Sequence, residues 1–195
     1  MGFENRSDFH VLVIGSGGAG IRAAVEAEKY GSVVLISKTI TGKGGCTVMA
    51  EGGYNAVLSD NDAVSIHFED TIKGGAYLND EALAETLALE APARIRDLFN
   101  WGAVFDLSPE NTIAQRPFGG QRFPRTCYAG DHTGHEMVMT LLERLRGSNV
   151  EIRDETTALE LLKEGDKVIG AVTVDRNGEL GVITADAVIL ATGGA

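Results

Sequence analysis

The order of apolar and polar positions divides this chain into segments of different period. Val11 to Ile14 is a β-branched apolar run stopped at once by glycines, the mark of a buried strand. Residues 18 to 30 then place Ile21, Ala24, Val25 and Ala27 at helical spacing and stop at Tyr30-Gly31. A second apolar run, Val33 to Ile36, follows directly. Strand, helix and strand over residues 9 to 38 make a βαβ unit, with parallel strands and a right-handed crossover.

A glycine-rich loop then reaches about residue 60. Residues 79 to 102 read as a helix, opened by Asn79 or Asp80 and kinked or restarted at Pro92. Residues 104 to 131 hold three of the four prolines and few helix signals, which predicts a long irregular excursion. Residues 134 to 147 form an amphipathic helix with Met137, Leu141, Leu142 and Leu145 inward. From 150 to 195 short apolar runs alternate with the two-residue turn signals Gly165-Asp166 and Asn177-Gly178. That pattern predicts an antiparallel meander, then a buried strand, Ala187 to Ala191, ending in Thr-Gly-Gly.

Composition narrows the function classes. With 195 residues, 44% hydrophobic and 23% charged, the chain can bury one generous core. Its 17 basic and 28 acidic residues give a net charge of −11, and no basic patch stands out. Nucleic acid and anionic membrane are therefore not expected partners. The polar start, "MGFENRSDFH", lacks the layout of a secretory signal, and no long apolar run predicts direct membrane insertion. A cytoplasmic protein is expected, reaching the inner face of a membrane only through other subunits. Cys46 and Cys127 read as reduced thiols, and no histidines are arranged as HxH or HExxH, so a zinc enzyme is not expected.

Two motifs carry chemistry. Gly15-Ser16-Gly17-Gly18-Ala19-Gly20 fits G-x-G-x-x-G and lies between the first strand and its helix, where the pattern has a mechanism. Gly15 permits the tight turn, Gly17 lets a pyrophosphate reach the backbone, and Gly20 lets helix and strand pack closely. An acidic residue should end the second strand to bind a ribose, but Ser37 and Lys38 stand there, so the ordinary NAD fingerprint is incomplete. Lys38 suits a 2′-phosphate, and a serine hydroxyl with backbone suits an FAD ribose. These residues alone stop at a dinucleotide other than plain NAD. The second motif, "GKGGCTVMAEGG" from 42 to 53, sets five glycines around Cys46, as if a ligand came close to the main chain.

The segments "VIGSGGAGIRAA", "ISK", "TVMAEGGYNA", "FEDTIKGGAYLND", "GAVFD", "QRPFGG", "DHTGH" and "ADAVILATGGA" carry a resemblance. From about residue 9 to the end, the chain resembles the flavoprotein subunit of succinate dehydrogenases and fumarate reductases, a group that includes L-aspartate oxidases. The resemblance implies an α/β fold: a Rossmann-like FAD-binding domain with a parallel sheet and an antiparallel β-meander, here truncated before the capping domain. It implies FAD, with Gly15 to Gly20 at the pyrophosphate and Ser37, Lys38 and Thr39 beside the adenosine ribose. The backbone of Ala158 would meet the adenine, and Thr192 and Gly193 would approach the cofactor again. The loop from Gly44 to Gly53, including Gly45, Cys46, Thr47, Gly52 and Gly53, would lie along the flavin.

Cys46 stands where many relatives join FAD covalently through a histidine. Histidyl attachment is excluded there, and non-covalent FAD is the expectation, with a Cys46 thioether as the alternative. Loss of the covalent link points toward fumarate reduction. Fumarate or succinate would be the substrate, with electrons from an iron–sulfur subunit or from thiols. His132 and His135 read as architectural, and His67 and Cys127 as packing residues. Arg116, Arg122 and Arg125 anchor the loop or meet a carboxylate substrate. The resemblance puts the proton-donating arginine outside residues 1 to 195, so no catalytic residue is assigned. Rival readings are an L-aspartate oxidase, a non-catalytic dinucleotide-binding module and an NAD-binding domain.

Overall fold

A computed structural model describes residues 6–194. Residues 1–5 of the polar start, on which the expected lack of a secretory signal partly rests, lie outside the described residues, as does Ala195. In chain order the elements are β1 (Arg6–Ile14), α1 (Gly18–Ala27), β2 (Val33–Ile36), β3 (Tyr54–Asn55), α2 (Val64–Gly74), α3 (Glu81–Asn100), β4 (Gln115–Arg116), β5 (Thr126–Cys127), α4 (Thr133–Arg146), β6 (Glu151–Arg153), β7 (Thr157–Glu164), β8 (Lys167–Val174) and β9 (Leu180–Leu190). They fall into two compact units, residues 1–49 with 138–195, and residues 50–137.

The first unit is built on a six-stranded sheet in the order β6-β2-β1-β9-β8-β7. β1 runs parallel to β2, with Val11 opposite Val33, and parallel to β9, with Ile14 opposite Leu190. β2 runs parallel to β6, while β8 and β7 are antiparallel additions. The β-branched runs of β1 and β2 are buried on both faces, as a central parallel sheet requires. Leu12, Ile14, Val34 and Ile36 cluster with Ala171, Ile183 and Ala185 on one face. Val13, Val33 and Leu35 alternate to the other, and α1 buries Ile21, Ala24 and Val25. The βαβ unit thus forms where the pattern placed it. In α4, Val138, Leu141, Leu142 and Leu145 are buried, whereas Met137 is only half-buried.

The carboxy-terminal region departs from expectation. The third meander strand and the Thr-Gly-Gly strand are one continuous element, β9. Nor is Ala187 to Ala191 a buried strand: Leu190 is 60% exposed. The reason is pairing. β8 hydrogen-bonds β9 only from Leu180 to Thr184, so beyond Thr184 β9 is partnered by β1 alone. Gly165-Asp166 is a two-residue turn, since Glu164 pairs with Lys167. Asn177-Gly178 instead sits in a five-residue loop, because Asp175 Oδ1 accepts the N–H groups of Asn177 at 2.8 Å and Glu179 at 2.9 Å.

In the second unit Asp80, not Asn79, opens α3 by accepting the Leu83 N–H at 3.1 Å. That helix continues through Pro92 as one element of 20 residues rather than restarting. α2 falls between the glycine-rich loop and the helix from residue 79, where the sequence pattern predicted no element. The excursion from 104 to 131 is not wholly irregular either: it supplies β4 and β5, which with β3 form a small antiparallel sheet. Among the described residues no helix is long and apolar enough to cross a membrane.

Candidate functional site

The first unit contains a cavity of about 640 Å³ at the carboxyl ends of β1, β2 and β9, where open α/β sheets bind ligands. Its floor is the turn from β1 into α1. A side chain on Gly15 (φ +113°) would strike the Ala191 carbonyl, and one on Gly20 would strike the Gly15 carbonyl. Both glycines are therefore demanded by the protein itself, and they bring α1 hard against the sheet.

Gly17 is different. As the residue before α1 it offers no capping side chain, and the first turn holds no acidic residue. The Gly18 N–H is taken by Thr47 Oγ1 at 3.1 Å. The positive end of α1 otherwise faces the cavity, the arrangement that receives an anion. A Cβ on Gly17 would meet nothing nearer than Thr47 Oγ1 at 3.4 Å, an ordinary contact. Protein packing does not explain this glycine.

The remaining wall comes from three directions. Ser37 follows β2, is buried, and accepts a 2.6 Å hydrogen bond from Ser16 Oγ and a 3.3 Å bond from the Thr39 N–H. Lys38 and Thr39 follow it as exposed wall residues, and Gly45, Cys46 and Thr47 line the same cavity, the Cys46 thiol exposed. Ala158 and the segment Thr192-Gly193 close the other side. Of the sequence-predicted residues, Gly15, Ser16, Gly17, Gly18 and Ala19 also line the cavity, whereas Gly20 is spent on packing. Gly52 and Gly53 belong to the second unit. Sequence reasoning missed wall residues on β7, among them Thr157 and Glu160, and the strand ends Ile14, Ile36 and Leu190. The strand ends were findable from the rule that parallel sheets bind ligands at their carboxyl edge.

In the second unit Gly53 (φ +114°) is a packing glycine, since its Cβ would strike the Cys127 carbonyl across the β3–β5 pair. Gly52 accepts a 2.7 Å hydrogen bond from Arg116, whose guanidinium lies 4.3 Å from the Tyr128 ring centre. Arg122 pairs with Glu69 and Asp70, each at 2.7 Å. Arg125 is fully buried, with two bonds of 2.8 Å to Asp62 and one of 2.7 Å to Asp70. All three arginines thus anchor the excursion. Burial, the largest single influence, raises the Asp62 and Asp70 carboxyls, but the hydrogen bonds from Arg125, joined by the Ala63 N–H at Asp62 and by Arg122 at Asp70, together outweigh it and hold both below the usual carboxylate range.

Burial likewise lowers His67, and it pushes the Cys127 thiol up to about 12, so both sit neutral in the packing. In the Asp131–His135 segment Thr133 does the anchoring: its Oγ1 accepts from the Ala129 N–H at 3.1 Å and donates to the Glu51 carbonyl at 3.2 Å. His132 is exposed beside Asp131. Among the described residues no group of three or more His, Cys, Asp or Glu could hold a metal ion.

Comparison with known proteins matches residues 10–195 to the family model of the FAD binding domain. A polypeptide of the fumarate reductase (CoM/CoB) of Methanothermobacter marburgensis is 47% identical over 190 residues, 95% of this chain and 35% of its own length. The fumarate reductase flavoprotein subunit of Mycobacterium tuberculosis is 40% identical over 190 residues, 95% of this chain and 32% of its own. A solved Escherichia coli quinol fumarate reductase chain matches with a TM-score of 0.93 at 34% identity, covering 98% of this chain and 33% of that one. The chain spans about a third of the length of the curated relatives it matches.

Proposed function

We propose that this chain, which belongs to the FAD binding domain family, holds FAD in the cavity at the head of α1 and is the amino-terminal cofactor-binding part of a flavoprotein that interconverts fumarate and succinate. The observation that carries this reading is the open amino end of α1, with a glycine at position 17 that the protein's own packing does not require.

The residues present suit the group. The N–H groups at the start of α1, with Gly15 to Gly20 around them, would hold the pyrophosphate. Ser37, Lys38 and Thr39 would flank the adenosine ribose, where a hydroxyl and backbone replace the acidic residue of NAD sites. The backbone at Ala158 would meet the adenine. Gly45, Cys46 and Thr47, with Thr192 and Gly193, would lie toward the flavin. When bound, FAD supplies hydride transfer to or from the dicarboxylate. The chain's own residues bind and orient it. With Cys46 in place of a histidine, the cofactor is held non-covalently, which favours the fumarate-reducing direction.

The remaining assignments follow the relatives. The substrate is a four-carbon dicarboxylate, and the reaction's catalytic residues and capping domain lie outside residues 1 to 195. The electron source is an iron–sulfur subunit or a thiol donor. The protein works in the cytoplasm, attached at most peripherally to the membrane through such a partner.

The test uses the natural full-length polypeptide carrying this sequence. It should purify yellow, bleach on reduction and regain flavin absorbance on adding fumarate. Protein that takes up no FAD from excess overturns the reading; protein that binds FAD but is not reoxidised by fumarate overturns the assigned substrate.

A further inference from the structure

The walls of the cavity are not independent loops. Gly18, at the start of α1, donates to Thr47 Oγ1 at 3.1 Å. Six residues back along the same loop, Thr41 donates its N–H at 2.8 Å and its hydroxyl at 2.6 Å to one oxygen, Asp154 Oδ1. Asp154 leads through Glu155, a non-glycine residue at φ +51°, into Thr156, whose hydroxyl donates back to the Asp154 carbonyl at 3.1 Å. The Thr156 N–H donates to the Ser37 carbonyl at 2.8 Å, and Ser37 Oγ accepts from Ser16 Oγ at 2.6 Å. Ser16 is two residues from Gly18. The circuit closes.

Most of this circuit runs through residues of the cavity wall; Thr41 and Asp154 stand behind it. The loop from Lys38 to Cys46 is largely exposed and touches down at Thr41 and Gly42, which are buried, Gly42 facing the Leu142 side chain of α4. Two joints in the circuit hold that loop by a side chain reaching a distant segment: Thr47 to α1, and Asp154 to Thr41. The others are neighbouring strand ends of one sheet.

We propose that Asp154 and Thr47 are the two joints of a clasp around the dinucleotide, and that Asp154, although it does not line the cavity, is a positioning residue that sets how fast FAD leaves. The inference rests on the FAD reading above. A carboxylate accepting both donors of Thr41 fixes the root of the loop that carries Lys38, Thr39 and Gly45 to Thr47. Release of a ligand held between these walls requires one joint to open. Because either opening suffices, loss of both joints costs little more than loss of one.

The experiment measures FAD release from the natural full-length holoprotein by the rise of free-flavin fluorescence after dilution. Asp154→Ala removes both acceptor bonds and should speed release about tenfold or more. Asp154→Asn keeps an acceptor oxygen at that place and should stay within about twofold of the parent. Thr41→Val removes the hydroxyl bond, keeps the N–H, and should speed release about threefold; it serves the same test if Asp154→Ala does not fold. Thr47→Ala should also speed release, and the double variant with Asp154→Ala should fall well short of the product of the single effects.

A parent that retains no FAD overturns the cofactor reading and the clasp together. A parent that holds FAD while Asp154→Ala and Thr41→Val release it at the parent rate overturns the clasp alone. So does an Asp154→Asn variant as fast as the alanine, or a double variant whose effects multiply.

Discussion

Alanine at position 17 separates what the protein needs from what its ligand needs. Gly17 sits at φ −74° and ψ −177°, a region any residue adopts, and its added methyl would touch only Thr47 Oγ1 at 3.4 Å. Apo stability should therefore hold, or rise by up to about 1 kcal/mol as the unfolded chain loses freedom. The same methyl projects at the amino end of α1, where a phosphate would lie against the backbone. Pushing one phosphate oxygen out of reach forfeits a hydrogen bond to a charged group, about 1.5–3 kcal/mol. Gly17→Ala should then weaken FAD binding roughly ten- to a hundredfold. Urea denaturation of the apoprotein reads the first quantity, and quenching of flavin fluorescence on titration reads the second. The reasoning fails if the variant binds FAD within twofold of the parent, or if stability falls in step with affinity.

Gly20→Ala should do the opposite, lowering the thermal midpoint of the apoprotein, since its Cβ would drive into the Gly15 carbonyl and force α1 off the sheet at a cost of about 1–3 kcal/mol. Arg125→Met should cost about 3–5 kcal/mol in urea denaturation, because Asp62 and Asp70 would stay buried without their shared cation. Those two carboxyls titrate below their unfolded values, so their contribution is complete above about pH 4 and is lost as pH falls through the lower folded values. The parent's urea midpoint should drop steeply below pH 4, and that of Arg125→Met should drop less; equal slopes would remove Arg125 as the cause. Intact mass after denaturation should show no flavin on the chain, and Cys46→Ser should bind FAD as the parent does; a retained flavin mass lost in the serine variant would establish a thioether instead.

The βαβ unit was legible because local pattern and tertiary role coincide there. β1 and β2 are apolar throughout since both faces of a central parallel strand are covered, and glycines mark where the chain must turn. β6 carried no such signal: it has three residues, two of them charged, and becomes a strand by pairing with the open edge of β2. α2 was hidden for a related reason. It buries only His67 and Ile72 and is preceded by Ala63, which has no capping side chain, so neither periodicity nor an N-cap announced it. β9 misled because one strand changes its surroundings midway, antiparallel to β8 in its first half and parallel to β1 along its length. The glycine turn into α1 could be read from spacing, but Asp154 could not. It meets Thr41 across 113 positions, and only the fold brings them together.

The glycine-dense stretch from 42 to 53 suggested one ligand lying along one loop, and the structure divides that explanation. Gly42 is pressed against Leu142 and Gly44 against Thr39, while Gly53 makes room for the Cys127 carbonyl in the second unit. These three answer to the protein's own atoms. Gly45 does not. At φ +89° it holds a conformation that side chains resist, and no atom lies within 4 Å of the place its Cβ would take. It lines the cavity beside Cys46 and Thr47. The part of the motif that lines the cavity is narrower than its composition implied: the few residues that end at Thr47, whose hydroxyl ties them to the head of α1. A residue placed there for a cofactor should be one the apoprotein can spare, and Gly17 meets that criterion where Gly15, Gly20 and Gly53 do not, while Gly45 is kept glycine by its own positive φ.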